Sequence, residues 1–262
     1  MPILTVSLAQ MNIRAGNPRQ NWETFQELTN EAKRRGSDLV VFPELWDNGY
    51  ALDKAQSVAS QLNGGLFAQV AALSRSVGIH IIGSMLEKRG VGVYNSAVLF
   101  SPERGVLGAY RKIHLFSGLN EPQFLSAGEA PLTLDAPWGR TSVAICYDLR
   151  FPELLRRYAV EGSKLLLLPS EWPAARINHW RALVQARAIE DQFFMVACNG
   201  VGEHNGTVFG GHSMVVDPWG ELVAEAGSDE AMLTVKIDLA KVDEIRQQMP
   251  VLQDRRSNLY GG

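Results

Sequence analysis

Residues 36–46 read GSDLVVFPELW, and residues 162–172 read GSKLLLLPSEW. Gly, Ser, Leu, Pro and Trp recur in step, while the acid moves by one place, Glu44 in the first copy and Glu171 in the second. Each copy follows an amphipathic segment. Residues 21–36 place Trp22, Phe25, Leu28 and Ala32 on one helical face, and residues 152–162 form a helix opened by Pro152. The glycine stands where a helix C-cap belongs. The apolar run after it lacks polar alternation, as expected of a strand covered on both faces. A helix–Gly–strand unit used twice predicts two similar α/β layers packed face to face about a pseudo-two-fold axis. Chance recurrence within any α/β chain is the alternative.

Working outward, the same alternation continues. Strands are expected at 3–10, 39–42, 79–86, 95–102, 105–111, 141–146, 165–168, 193–199 and 232–238, with helices at 65–77 and 179–192. Residues 211–226 read as a hairpin with a Pro-Trp-Gly turn. Nothing resembles a linker, so residues 1–262 are expected to form one α/β domain, with a C-terminal arm at about 240–262 placed to reach a partner.

The composition, 46% hydrophobic and 20% charged, suffices for a large core. A net charge of −3 gives no reason to expect nucleic acid or an anionic membrane as partner. No apolar run approaches the ~18 residues of a membrane span. The first residues read as a strand rather than a signal peptide, and two cysteines are too few for a disulfide framework, so a cytoplasmic location is expected. Five scattered histidines show no metal-ligand spacing.

Three residues at strand ends are the candidates for chemistry, although each taken alone would pass for an exposed acid, a solvated lysine or an inert buried thiol. Glu44 follows a buried strand and Pro43, and functional groups of α/β folds gather at such carboxyl ends. Walled by Phe42, Leu45 and Trp46, its carboxyl would tend toward a raised pKa, useful in a general base. Cys146 lies where TSVAIC turns into YDLRFPELLRRY, an elbow whose helical start lowers a thiol pKa. Cys198, inside FFMVACN, reads as a buried inert thiol. Lys112, in GAYRKIHLF, gains meaning only from the other two.

"FPELW", "YRKIHLF" and "CYDLRFPE" resemble the signature segments of the nitrilase, or carbon–nitrogen hydrolase, superfamily, and the likeness runs on to "DRRSNLY". That resemblance implies a four-layer α-β-β-α sandwich, a cysteine hydrolase of linear amides, and no metal or organic cofactor. It implies Glu44 as general base and acid, Lys112 as oxyanion stabiliser and Cys146 as nucleophile, with Glu121 in NEPQFLSAGE as a second, positioning glutamate. It further implies a homodimer or higher homo-oligomer, associating through the helices 152–162 and 179–192.

True nitrilases follow the cysteine with Trp-Glu, whereas this chain has Tyr147-Asp148. "CYDLRFPE", "EWPAARINHW" and "QARAIEDQ" look most like the omega-amidase branch, which hydrolyses the side-chain amide of 2-oxo acids such as 2-oxoglutaramate. Such a small-molecule substrate needs a cation for its carboxylate. Arg176 is the candidate, against the alternative of a surface arginine, and Arg150 reads as an ion pair orienting the elbow. The Tyr147 backbone N–H is a second oxyanion donor. Tyr50 is expected to form a side wall of the pocket, against the alternative of an ordinary buried aromatic, and Glu171 and Trp172 are expected to line it from the second layer, Glu171 being otherwise a structural acid.

Other readings remain. A general aliphatic amidase or an N-carbamoyl amidohydrolase shares the triad, and a non-catalytic binding member would share the fold. A cysteine–histidine hydrolase has His114 and His179 to draw on, but neither has an orienting third group by local motif. GVGEHNG (200–206) has the glycines of a dinucleotide loop but is followed by strand rather than helix.

Overall fold

In the computed structural model, which describes residues 3–260, the two copies of the phrase fold alike. Gly36 and Gly162 both take the left-handed φ that ends a helix, 76° and 88°. Ser37 N–H then bonds Ala32 C=O at 3.1 Å, and Ser163 N–H bonds Tyr158 C=O at 3.0 Å. The preceding helices are Pro18–Arg34 and Pro152–Val160.

One sheet contains β1 (Ile3–Gln10), β2 (Leu39–Val41), β3 (His80–Arg89), β4 (Gly92–Ser101) and β5 (Gly105–Arg111). The other contains β6 (Leu132–Ala136), β7 (Gly139–Val143), β8 (Leu165–Ser170), β9 (Phe194–Asn199), β12 (Met214–Val216) and β13 (Leu222–Glu225). Between β9 and β12 the chain makes a separate hairpin, β10 (Val201–His204) with β11 (Thr207–Gly210), and β14 (Ala231–Asp238) returns to the first sheet beside β1. The orders are β14-β1-β2-β3-β4-β5 and β13-β12-β9-β8-β7-β6. Reversing the second superimposes parallel triplets, β1-β2-β3 on β7-β8-β9, with the repeated phrase ending the central strand of each. The pseudo-two-fold topology expected from the phrase is therefore present.

Alternation explains the unbroken apolar runs. On β2, Leu39 and Val41 face the other sheet and join a core with Leu8, Ile82, Ile145, Leu167 and Val196. Val40 and Phe42 face outward, beneath Phe25 and Ala32 of the first helix and Phe67 and Val70 of helix Gly65–Val77. Helices Pro152–Val160 and Ile177–Asp191 carry Leu155, Tyr158, Trp180 and Val184 into the core on the second sheet. Each such side chain contributes about 1.5–3 kcal/mol by leaving water. The layers run α-β-β-α, as the family resemblance implied. Gly83 makes room for the first copy's aromatics, because a Cβ there would meet Phe42 and Trp46, each at 2.8 Å.

Several boundaries differ from the sequence reading. The strand expected at 141–146 ends at Val143, and a 3-10 turn, Cys146–Arg150, separates it from the helix at Pro152. Strand β6 had no counterpart among the expectations, since Pro131 and Pro137 bracket a short, half-exposed edge. The tail forms a helix, Ala240–Gln248. Past it the arm folds back on its own chain, with Leu252 against the core and Gln192 donating to Met249 C=O at 2.8 Å. Residues 261 and 262 of the arm lie outside the described residues.

Candidate active site

The two copies meet at the rim where β2 and β8 end. Chain direction there explains the displaced acid. The first copy leaves its sheet after Val41, and Leu45 turns with φ 46°. The second copy stays in its sheet through Pro169 and Ser170, paired with Cys198 and Asn199 of β9. Glu44 consequently crosses to the other layer. Its N–H bonds Ser170 C=O at 3.3 Å, and its Oε2 accepts the Glu171 N–H at 3.0 Å.

Glu44 is fully buried, yet its carboxylate is ringed by donors rather than by the apolar wall expected from its neighbours. Asn95 Nδ2 donates to Oε1 at 2.8 Å and Lys112 Nζ to the same oxygen at 2.7 Å. Phe42 and Trp46 point the other way, stacking on Phe25 at 3.9 and 3.8 Å. Asn95, which the sequence reading left as an ordinary strand residue, belongs to this cluster. It also accepts the Lys112 N–H on its backbone at 2.9 Å, fixing the lysine where β5 ends.

Lys112, fully buried, bonds Glu121 Oε1 at 2.6 Å as well as Glu44. Burial alone disfavours the ammonium, but the charges of Glu121 and Glu44 outweigh it and raise the pKa, so Lys112 is a cation at any ordinary pH. Glu121 also accepts the Tyr50 hydroxyl at 2.7 Å and the Phe116 N–H at 2.9 Å. Burial pushes the Glu121 carboxyl up, against the pull of Lys112.

Cys146 stands at the elbow with φ 44°, a left-handed conformation unusual for a residue with a Cβ and costing about 1–3 kcal/mol. Asp148 holds that geometry. Its carboxylate accepts Ile145 N–H at 2.9 Å, Tyr110 hydroxyl at 2.7 Å and His114 N–H at 3.1 Å, and pairs with His114 Nδ1 at 2.7 Å. His114 thus has the orienting acid that no local motif disclosed, and its ring stacks on Phe151 at 3.6 Å. The helical start does not lower the thiol's pKa. Burial pushes it well above its usual value, the Glu44 charge adds to the rise, and Lys112 only partly opposes. Cys198 is buried too, and desolvation raises its pKa in turn.

A small cavity of about 20 Å³ opens in front of Cys146, and every pocket residue expected from the sequence reaches it: Tyr50, Tyr147, Glu171, Trp172 and Arg176. Trp172 is anchored by Asn199 Oδ1 on its N–H at 2.6 Å and by Arg176 C=O on its indole nitrogen at 2.9 Å. The guanidinium of Arg176 lies 5.3 Å from the Phe116 ring. Arg150 also lines the cavity, over the Trp172 ring at 4.7 Å, in place of the ion pair expected of it.

Fold and site together define a class of hydrolase. The chain belongs to the carbon–nitrogen hydrolase family, which it matches over residues 5–247, and it hydrolyses carbon–nitrogen bonds other than peptide bonds. It is 36% identical to the 2-oxoglutaramate amidase of Bacillus subtilis (strain 168), over 98% of this chain and 99% of that protein. Among solved structures it resembles XC1258 from Xanthomonas campestris, a CN-hydrolase superfamily protein with an arsenic adduct in its active site. The TM-score is 0.91 at 31% identity, covering 98% of both chains. It also resembles a glutamate-to-glutamine mutant of the amidase from Nesterenkonia sp. AN1, in which the acetamide moiety of fluoroacetamide is added covalently at the active-site cysteine. There the TM-score is 0.88 at 27% identity, covering 98% of this chain and 95% of that one.

Proposed function

We propose that this protein is an omega-amidase-type cysteine amidohydrolase, converting the terminal carboxamide of a small 2-oxo acid such as 2-oxoglutaramate to the acid and ammonia. The observation that carries the reading is one buried cluster in which a thiol, a carboxylate and an ammonium act on one another. The kinship to a 2-oxoglutaramate amidase and the two arginines lining the thiol cavity favour an anionic amide over a plain aliphatic one.

At rest the thiol is neutral. Transfer of its proton to Glu44 moves a negative charge from one neighbour of Lys112 to another, so the cluster's net charge is conserved as the nucleophile forms. The thiolate attacks the amide carbonyl, and Lys112 with the Tyr147 backbone N–H receives the oxyanion, each donor lowering the barrier by about 3 kcal/mol. Glu44 returns the proton to the departing ammonia, leaving an acyl-thioester. It then takes a proton from water as the water attacks; the C–S bond breaks, the Cys146 thiolate recovers the proton from Glu44, and the acid leaves. Glu121 keeps Lys112 aimed, with Tyr50 closing the side.

Ammonia release from 2-oxoglutaramate, aliphatic amides, N-carbamoyl amino acids and nitriles tests the reading. The oxo-acid amide is expected to have the highest kcat/KM. Arg176→Ala is expected to lower it about 10- to 100-fold, mainly through KM, as loss of a charged hydrogen bond does. Preference for uncharged amides, or an Arg176→Ala variant with wild-type KM, overturns the carboxylate clamp.

We further propose a homodimer. Val160, Ile189, Trp219 and Leu222 are each about half exposed on or beside the two outer helices, and Gly220 of the Pro-Trp-Gly turn abuts Ile189. Sedimentation is expected to give the mass of two chains, and a monomer contradicts the proposal. Two unpaired cysteines accord with a cytoplasmic location, which cell fractionation tests.

A further inference from the structure

Glu171 is the acid that the mechanism leaves unused. It is 1% exposed, lines the cavity with Cys146, Arg150 and Arg176, and its Oε2 is buried without a hydrogen-bond partner. The Lys112 ammonium bonds Glu44 and Glu121, and what joins Glu171 to that cluster is its backbone N–H on Glu44 Oε2. A buried polar atom left unpaired inside a catalytic cavity marks a place for a ligand atom.

The chemistry of that atom follows from the carboxyl's state. Burial, then the Glu44 charge, pushes Glu171 well above the usual carboxylate range, and Asp47 and Glu121 add to the rise against Lys112. A shift in that direction favours the carboxylic acid, which offers one O–H donor where a carboxylate offers none. Its ligand atom is therefore an acceptor oxygen.

Substrate geometry places one there. With the amide carbon at the thiol and the carboxylate at the arginines, as the proposed function has it, the 2-oxo oxygen lies between them in the cavity that Glu171 lines. We propose that the Glu171 side chain, which lines the cavity with an unpartnered oxygen, donates a hydrogen bond to the 2-oxo oxygen of the substrate and so sets the preference for 2-oxo acid amides over plain ω-amides. This rests on the omega-amidase reading and adds a specificity-determining residue to it. Glutaramate, the same monoamide with a methylene in place of the 2-oxo group, leaves the Glu171 donor unpaired in the complex.

The test is the ratio of kcat/KM for 2-oxoglutaramate to that for glutaramate. Wild type is expected to favour the oxo compound about 10- to 100-fold, the effect of pairing a buried donor. Glu171→Gln keeps a neutral donor, and its ratio is expected to stay within about threefold of wild type. Glu171→Leu removes the donor, and its ratio is expected to fall to about one, with the loss on the oxo compound. A ratio kept by Glu171→Leu, or lost equally in Glu171→Gln, overturns the assignment. Thermal melts show which variants fold. Should Glu171→Leu fail to fold, Glu171→Met, an unbranched donor-free side chain of similar volume, replaces it with the same expected ratio of about one, and a ratio kept by that variant overturns the assignment. Wild type hydrolysing both monoamides equally overturns the role of Glu171 and leaves the omega-amidase reading standing, whereas wild type hydrolysing neither overturns both.

Discussion

Replacing Lys112 with methionine is expected to cost this protein about 3–5 kcal/mol of stability and to abolish measurable turnover. The side chain is wholly buried, and its ammonium lies 2.7 Å from one carboxylate and 2.6 Å from another. Methionine fills nearly the same volume, so the loss is electrostatic rather than a matter of packing. Glu44 and Glu121 then face each other without a cation in a site from which water is excluded, and at least one must take up a proton to fold. A domain with about 5–15 kcal/mol in hand is left close to its threshold. Catalysis suffers independently. The oxyanion loses a charged donor, worth about 10²–10³ in rate, and the thiolate loses the neighbouring cation that stabilises it. Urea denaturation and ammonia release measure the two effects. A Lys112→Met variant of wild-type stability contradicts the paired, charged lysine, and one with wild-type turnover contradicts its place at the oxyanion.

Cys146→Ala is expected to lower kcat by about 10⁴-fold or more, the scale seen when a nucleophile is removed from an otherwise intact site. The fold loses little, since Asp148 holds the elbow through Ile145, Tyr110 and His114 rather than through the thiol. Substrate binding is therefore expected to survive in calorimetry while chemistry stops. Cys198→Ala serves as the contrast, because that thiol lies inside β9 against Ser213 and the mechanism assigns it no step. Appreciable turnover by Cys146→Ala contradicts the nucleophile.

What the sequence disclosed and what it withheld divide along a physical line. The repeated phrase was legible because its ingredients are local: an amphipathic helix, a glycine able to take positive φ, and an apolar run buried on both faces. Glu44, Lys112 and Cys146 were legible as residues at strand ends, and their company was recognisable as a family signature. Partnerships across space were not legible. Asn95 lies 51 residues from its partner Glu44 and Asp148 lies 34 residues from its partner His114, and no local pattern marks either partnership. Arg150 illustrates the same limit, because its choice between an ion pair and the face of Trp172 depends on where the second layer sits. The thiol's electrostatics were misread for a related reason. A helical start acts over one turn, whereas burial beside Glu44 is a property of the assembled layers.

The answer to the displaced acid follows from the same assembly. In one copy the chain leaves its sheet early and sends Glu44 across to the thiol. In the other it stays paired three residues longer, through Ser170, delivering Glu171 to the cavity wall and a backbone N–H to Glu44. A two-fold scaffold is thus asymmetric at the rim where the two copies of the phrase meet.

The central claim is that Cys146 carries the acyl group between the departure of ammonia and the arrival of water. It is tested most directly by mass spectrometry of peptides from enzyme quenched in acid during turnover of its best amide substrate. The account predicts one acyl group on the Cys146 peptide, present in wild type and absent in Cys146→Ala. An active wild-type enzyme with no acyl group on Cys146 at any time of quenching, or with it on another residue, contradicts the account.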